Sequence, residues 1–343
     1  MKRPMIGGVA LVAALALVGC TDSGAAPAPT TAPAETEAPA ADTVEQFNVR
    51  VAALPIAETG AIWAGIEAGI FADHGLTLEI LPAAGGAQAV PSLVSGDIDF
   101  AIGSPISAIK ASLAGEDVRI IGDYADGNPE GERDANSVVA SAASGVTSWK
   151  DLAGKKVGTN SPGAHGNLGI LEAVAKDGGD PTTVEFVIVQ GGFPAMPALV
   201  ESGELDAAWV PDPFRGMIEA AGGVEIGYPW QAGGLAGISG LSNLTIQKVI
   251  DENPQMVKQW LDAMDEVTTF AEANQDKVFE AIAKNMNIPL EAAKATTLAT
   301  FNSTTNVERL EALISAGINY GSAPPWLFWD ESPDLSVLVV DPR

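Results

Sequence analysis

Leu78-Glu-Ile-Leu-Pro-Ala-Ala-Gly85-Gly86 leads through Pro91, Leu93 and Val94 to Gly96-Asp-Ile-Asp99-Phe-Ala101. The chain then repeats the pattern as Val184-Glu-Phe-Val-Ile-Val-Gln-Gly191-Gly192, then Pro197, Leu199 and Val200, then Gly203-Glu-Leu-Asp206-Ala-Ala208. A single inserted residue before the last motif separates the two spacings. Each copy reads as a strand, a glycine turn, a short helix, a glycine stop and a second strand. Two copies of one unit imply two similar α/β lobes; the alternative is one larger sheet in which the glycines merely permit tight turns. In lobes of this kind ligands sit beyond the carboxyl ends of the strands. Those ends carry Gly85-Gly86 and Gly103-Ser104-Pro105 in the first copy, Gly191-Gly192 and Pro211-Asp212-Pro213 in the second. Asp99 and Asp206 stand at the opposite, leading ends, where a turn-capping role is expected.

Outward from the repeats, the chain is long enough for two cores: 343 residues, 47% apolar and 6% aromatic. Its formal charge is −26, and loss of Lys2 and Arg3 with a leader would take it to −28, so nucleic acid phosphates would be repelled. That leader is legible. Lys2-Arg3 precede an apolar run from Pro4 to Val18, short for a bilayer span and closed by Leu17-Val-Gly-Cys20. The pattern matches the bacterial lipoprotein signal, with Cys20 as the lipidated first residue of the mature chain. Cys20 is also the only cysteine, which excludes an intrachain disulfide or a cysteine metal site. From Thr21 to about Thr43 the Ala, Pro, Thr and Glu composition has no apolar period and reads as a tether.

Between the tether and the first repeat, Phe47–Ala53 alternates as a strand and Ala61–Ala68 reads as a helix with Thr59 as its N-cap. Trp63, one turn in, would line a cleft or fill the core, with the core favoured. His74 falls in a turn and reads as surface. Ile106–Leu113 reads as a helix, Val118–Gly122 as a strand, and Asp123–Asn136 as a polar loop; Ser137–Ala140 is a strand leaving the first lobe. After a strand ending at Gly158, Thr159-Asn-Ser161-Pro-Gly163-Ala-His165-Gly166 enters a helix running to Lys176. Hydroxyls and glycines at a helix start make an anion cradle, though not a nucleotide loop, since Gly-Lys-Ser/Thr is absent. His165 is either a ligand contact or a surface residue. With no Gly-x-Ser-x-Gly elbow and no His-x-x-x-His pair, neither catalytic nor metal-ligating residues are expected. Asp212, fixed between two prolines at a strand's exit, is the charged candidate for touching a ligand. Ile238–Ile246 returns the chain to the first lobe, and Gln255–Asn274, Lys277–Asn285, Leu290–Thr300 and Val307–Ala316 read as packing helices.

Four stretches, Ala68-Gly-Ile-Phe-Ala-Asp-His-Gly-Leu-Thr-Leu-Glu79, Leu93-Val-Ser-Gly-Asp-Ile-Asp-Phe100, Asp151-Leu-Ala-Gly-Lys-Lys-Val-Gly158 and Leu199-Val-Glu-Ser-Gly-Glu-Leu-Asp-Ala207, together resemble the SsuA-like solute-binding proteins of bacterial ABC importers. That family includes sulfonate, taurine, nitrate and thiamine-pyrimidine binders. The resemblance implies an α/β, type 2 periplasmic-binding fold: two lobes joined by two crossover strands, with a ligand cleft between them. Residues 1–20 are then signal peptide, 21–44 tether, 45–139 and 237–343 the first lobe, and 140–236 the second. Carried over by position, the cleft would be formed by Pro55, Glu58, Thr59, Gly60, Trp63, Gly85, Gly86, Ser104, Pro105, Thr159, Asn160, Ser161, Gly163, His165, Gly191, Gly192 and Asp212. No cofactor is implied. The implied partners are a small solute, a permease with its ATPase, and the membrane through lipid on Cys20, placing the protein outside the cytoplasm. An amino-sulfonate of the taurine type, held by the Thr159 to Ser161 cradle and by Asp212, is the expected solute. An aminopyrimidine using Asp212 and Trp63 is the alternative, and an enzyme or sensor of the same fold is the rival class. Ala57-Glu58 stand where the pyrimidine branch has Asn-His.

Overall fold

The computed structural model describes residues 44–320 and 328–343. Cys20, the leader and residues 21–43 of the tether lie outside the described residues. Strands β1 (Phe47–Ala53), β2 (Leu76–Pro82), β3 (Phe100–Gly103) and β4 (Val118–Asp126) precede β5 (Asn136–Ala140), β6 (Lys156–Thr159), β7 (Glu185–Ile188), β8 (Ala207–Pro211) and β9 (Val224–Gly227); β10 (Ser239–Ile246) and β11 (Thr300–Phe301) follow. They form a six-stranded sheet ordered β11-β4-β10-β3-β1-β2 and a five-stranded sheet ordered β7-β6-β8-β5-β9. Leaving out the edge strand β11, the two orders are the same. In each, a central strand is flanked by the two strands of its repeat in parallel, β1 by β2 and β3, β6 by β7 and β8. The fourth strand, β10 or β5, runs antiparallel and arrives from the other sheet.

The repeated aspartates explain part of this equivalence. Asp99 accepts a hydrogen bond from the Arg50 backbone N–H at 2.8 Å, and Asp206 accepts one from Lys156 at 2.9 Å. Each aspartate's own N–H donates back to the same residue's carbonyl. The pair thus fastens the strand after the repeat's helix to the central strand, because a carboxylate bonded to backbone N–H offsets the ladder's frayed end. Arg50 also reaches Asp99 Oδ1 at 2.8 Å.

β4 runs on to Asp126, four residues past the expected strand, and is buried throughout. The chain changes sheets between Asp126 and Asn136. β5 pairs with β8 and β9, so Ser137–Ala140 belongs to the second sheet and does not finish the first. The return passes from β9 through a short helix, Pro229–Ala232, into β10. Helices cover both sheets. Pro254–Ala273 buries Val257, Trp260, Leu261, Met264, Val267 and Ala271, the spacing of one helical face, and Trp260 stacks on Phe100 at 4.6 Å. Gly60 and Gly65 let the helix Gly60–Ala68 approach this layer, since a Cβ at either would meet Ile282 at 2.5 Å or Val267 at 2.6 Å. The segment after Leu290 stops being helical at Lys294. It extends into β11, which pairs with β4, in place of the helix expected as far as Thr300.

Candidate functional site

Glu58 sits in a single 3₁₀ turn, Ala57–Thr59, directly after β1. Its backbone carbonyl accepts from Tyr124 Oη at 2.5 Å, and its Oε1 accepts from Asn136 Nδ2 of the second sheet at 2.9 Å. Glu58 is 2% exposed, and its Oε2 has no hydrogen-bond partner. Burial, helped by the neighbouring charges of Asp212 and Asp134, pushes this carboxyl up to about 7. Two more carboxylates stand at the first crossing between sheets. Asp126 ends β4 and pairs with Arg309 at 2.8 Å, leaving Oδ1 unpartnered. Asp134 accepts from the Ala135 N–H at 2.7 Å. Burial raises both to about 6.

These three groups line one partly open cavity whose walls come from both sheets. His165, Phe193, Trp209 and Trp230 line the same cavity. His165 packs on Trp230 with ring centroids 4.6 Å apart, and Phe193 meets Trp209 edge-on at 5.5 Å. The indole N–H groups of Trp209 and Trp230 are buried without partners. Burial drives His165 down to about 3, so the ring is neutral. Glycines set the positions of both indoles. A Cβ on Gly166 would fall 2.1 Å from the Trp209 ring, and one on Gly169 would fall 3.0 Å from Trp230.

The rim is closed by contacts between the lobes. Asn160 Nδ2 donates to the Ala84 carbonyl at 2.8 Å, Lys110 Nζ to the Pro162 carbonyl at 3.3 Å, and Ser104 Oγ lies 3.5 Å from His165 Nδ1. A Cβ on Gly85 would meet Asn160 Nδ2 at 2.9 Å, so a side chain there would hold the lobes apart.

Of the residues expected to form the cleft, Glu58, Gly85, Gly86, Ser104, Asn160, Ser161 and His165 line this cavity. The others are placed elsewhere. Pro55 is exposed, and Thr59 is buried with its hydroxyl donating to the Leu54 carbonyl at 2.5 Å, so it makes no side-chain cap. Gly60 faces Ile282, Trp63 packs against the first core, and Pro105 opens the helix Pro105–Leu113. Thr159 is fully buried; Gly163, Gly191 and Gly192 lie off the cavity lining. Asp212 is committed behind the site. It pairs with the fully buried Arg215 and accepts from the Thr297 N–H at 2.8 Å, and Arg215 also donates to Thr297 Oγ1 and to the Asp134 carbonyl, both at 2.7 Å. The carboxylates facing the cavity are Glu58, Asp126 and Asp134 instead. Asp126, Asp134, Phe193, Trp209 and Trp230 escaped the sequence reading. A signal existed for Trp209, which occupies the place in the second repeat that Ile102 holds in the first.

The family model described as NMT1/THI5 like matches residues 57–278. No curated protein matches the chain. Among solved structures, the alkanesulfonate-binding protein SsuA from Xanthomonas axonopodis pv. citri bound to MOPS is similar, with a TM-score of 0.72 at 14% identity over 86% of this chain and 99% of its own. The periplasmic nitrate-binding protein NrtA from Synechocystis PCC 6803 is similar with a TM-score of 0.67 at 15% identity, over 81% of this chain and 82% of its own. The desulfurization enzyme DSZB has the fold at a TM-score of 0.58 and 16% identity, over 85% of this chain and 95% of its own.

Proposed function

This chain belongs to the NMT1/THI5-like family, and from that premise we propose that it is the extracytoplasmic solute-binding component of an ABC importer. The observation carrying the proposal is one cavity walled by both sheets and bridged at its rim by Asn160 and Ala84. A ligand touching both lobes biases a hinge equilibrium toward closure, and a permease can read the closed form. The similarity to sulfonate-binding and nitrate-binding proteins supports the same reading. Lipid on Cys20 would tether the receptor at the membrane; among the described residues no helix is long and apolar enough to cross one.

An enzymatic role is disfavoured by the site's own chemistry. Ser104 and His165 are adjacent, but a histidine held down to about 3 is too weak a base to take a hydroxyl proton near neutrality. The taurine-type solute keeps Asn160 and Ser161 but loses Asp212 as its amine partner. Small-angle scattering with and without solute, followed by uptake measurements in cells lacking the protein, tests the receptor reading. Closure on a solute whose uptake then fails in the deletion supports it. Chemical conversion of the solute by the purified protein overturns it.

A further inference from the structure

The cavity is lined by carboxyl groups and not by basic side chains. Glu58, Asp126 and Asp134 line it, and no Lys or Arg is among its lining residues. Two of these carboxylates keep an unpartnered oxygen although they are only 2% and 3% exposed. Buried polar atoms are ordinarily paired, so orphaned acceptors in a cavity walled by both sheets mark where a donor is missing. The two partnerless indole N–H groups of Trp209 and Trp230 in the same lining mark where an acceptor is missing. The aromatic wall suits a flat body and favours a cation over its ring faces. Among the described residues, no three His, Cys, Asp or Glu converge as metal ligands.

Resting on the receptor reading, we infer that the solute is a small organic cation: a protonated amine or amidinium donating to Glu58 and Asp126, on a flat body between Trp209, Trp230 and Phe193, with an acceptor for an indole N–H and no anionic group. An anion entering this cavity would meet three carboxyl groups, of which only Asp126 is paired with a base, Arg309. The chain's formal charge of −26 would also attract cations and repel anions at long range. The raised carboxyl groups add a signature: closing on a cation draws protons off Glu58, Asp126 and Asp134, so binding releases protons to the buffer.

The test uses benzamidine, benzamide and benzenesulfonate, three flat probes of one shape carrying positive, zero and negative charge, titrated calorimetrically at neutral pH in two buffers of different ionisation enthalpy. Wild-type protein should bind benzamidine about tenfold or more tighter than benzamide, with proton release, and benzenesulfonate weakest. Glu58→Gln should lower benzamidine affinity by about tenfold and leave benzamide unchanged. The ranking on wild-type protein needs no variant, so misfolding of Glu58→Gln does not decide the outcome. Benzenesulfonate as the tightest probe, equal affinity for all three, no binding by any, or stoichiometric displacement of benzamidine by zinc each overturns the assignment. Closure around benzenesulfonate, seen as a smaller radius of gyration, would keep the receptor reading while removing this one.

Discussion

Glu58 exchanges its hydration shell for a single hydrogen bond from Asn136, and the deficit is readable as a pH dependence. Between about 4.5 and 7 the folded chain holds a proton on Glu58 that the unfolded chain has lost, so stability falls as pH rises through that interval and stays lower above it. Asp126 and Asp134 act with the same sign from 3.8 to about 6. His165 acts oppositely: from about 3 to 6.5 the unfolded chain binds its proton, so stability rises with pH there. Glu58→Gln should therefore be more stable than wild type above pH 7 by roughly 1–3 kcal/mol and should match it below pH 4, measured by urea unfolding of ligand-free protein. Asp212 carries a different kind of energy. Its partner Arg215 is fully buried, and removing one member of such a pair leaves the other charge uncompensated. Asp212→Asn should cost about 3–5 kcal/mol in the same assay while the folded fraction keeps its ligand affinity. The sequence exposed Asp212 as a charge fixed between prolines but could not show the arginine three residues on turning back to it. That pairing depends on Thr297 and the Asp134 carbonyl, both far along the chain.

At the level of elements, the duplicated strand, turn, helix and strand were legible because glycine and aspartate recur at fixed offsets. The crossing segments were not. β4 carries Asp123 and Asp126 into a buried strand, against every local preference. Its tolerance comes from Ser239 and Ser242 of β10, whose hydroxyls both donate to Asp123 Oδ1, and from Arg309. Such compensation is invisible in a window of neighbouring residues. The glycine turns also divide in a way their sequence conceals. A Cβ on Gly86 would strike Ser107, which lines the cavity with it, whereas Gly192 lies off the lining and has nothing nearer than Ala84 at 3.9 Å. Gly166 is the glycine that governs the site. Gly166→Ala should drive the Trp209 ring out of its seat and weaken ligand binding by about tenfold or more, as for removal of an aromatic wall. Gly216→Ala, with open space around it in the helix Phe214–Ala220, should leave binding unchanged and raise stability by about 0.5–1 kcal/mol. Calorimetry on the two variants separates the cases; equal binding would remove Gly166 from its role.

Across the whole molecule, the two-lobe plan followed from the repeat, whereas the closed arrangement rests on a few rim contacts that no sequence pattern encodes. Asn160→Ala removes the Asn160 bond to Ala84 and, with it, roughly 1 kcal/mol favouring closure. The variant should show a larger radius of gyration without solute and about fivefold weaker binding. An unchanged radius would mean that the bond does not hold the lobes together. The strand order has a further consequence, in the time domain. Residues 136–227 supply every strand of the second sheet, but the first sheet needs β10 inserted between β3 and β4. During N-to-C synthesis, the first lobe's strands emerge first yet must wait with two open edges while the later lobe is completed. A chain halted at Gly237 should therefore show slow amide exchange in β5 to β9 and fast exchange in β3 and β4. The half made first is the half that finishes last, and any factor guarding nascent chains has β3 and β4 to shield in the interval.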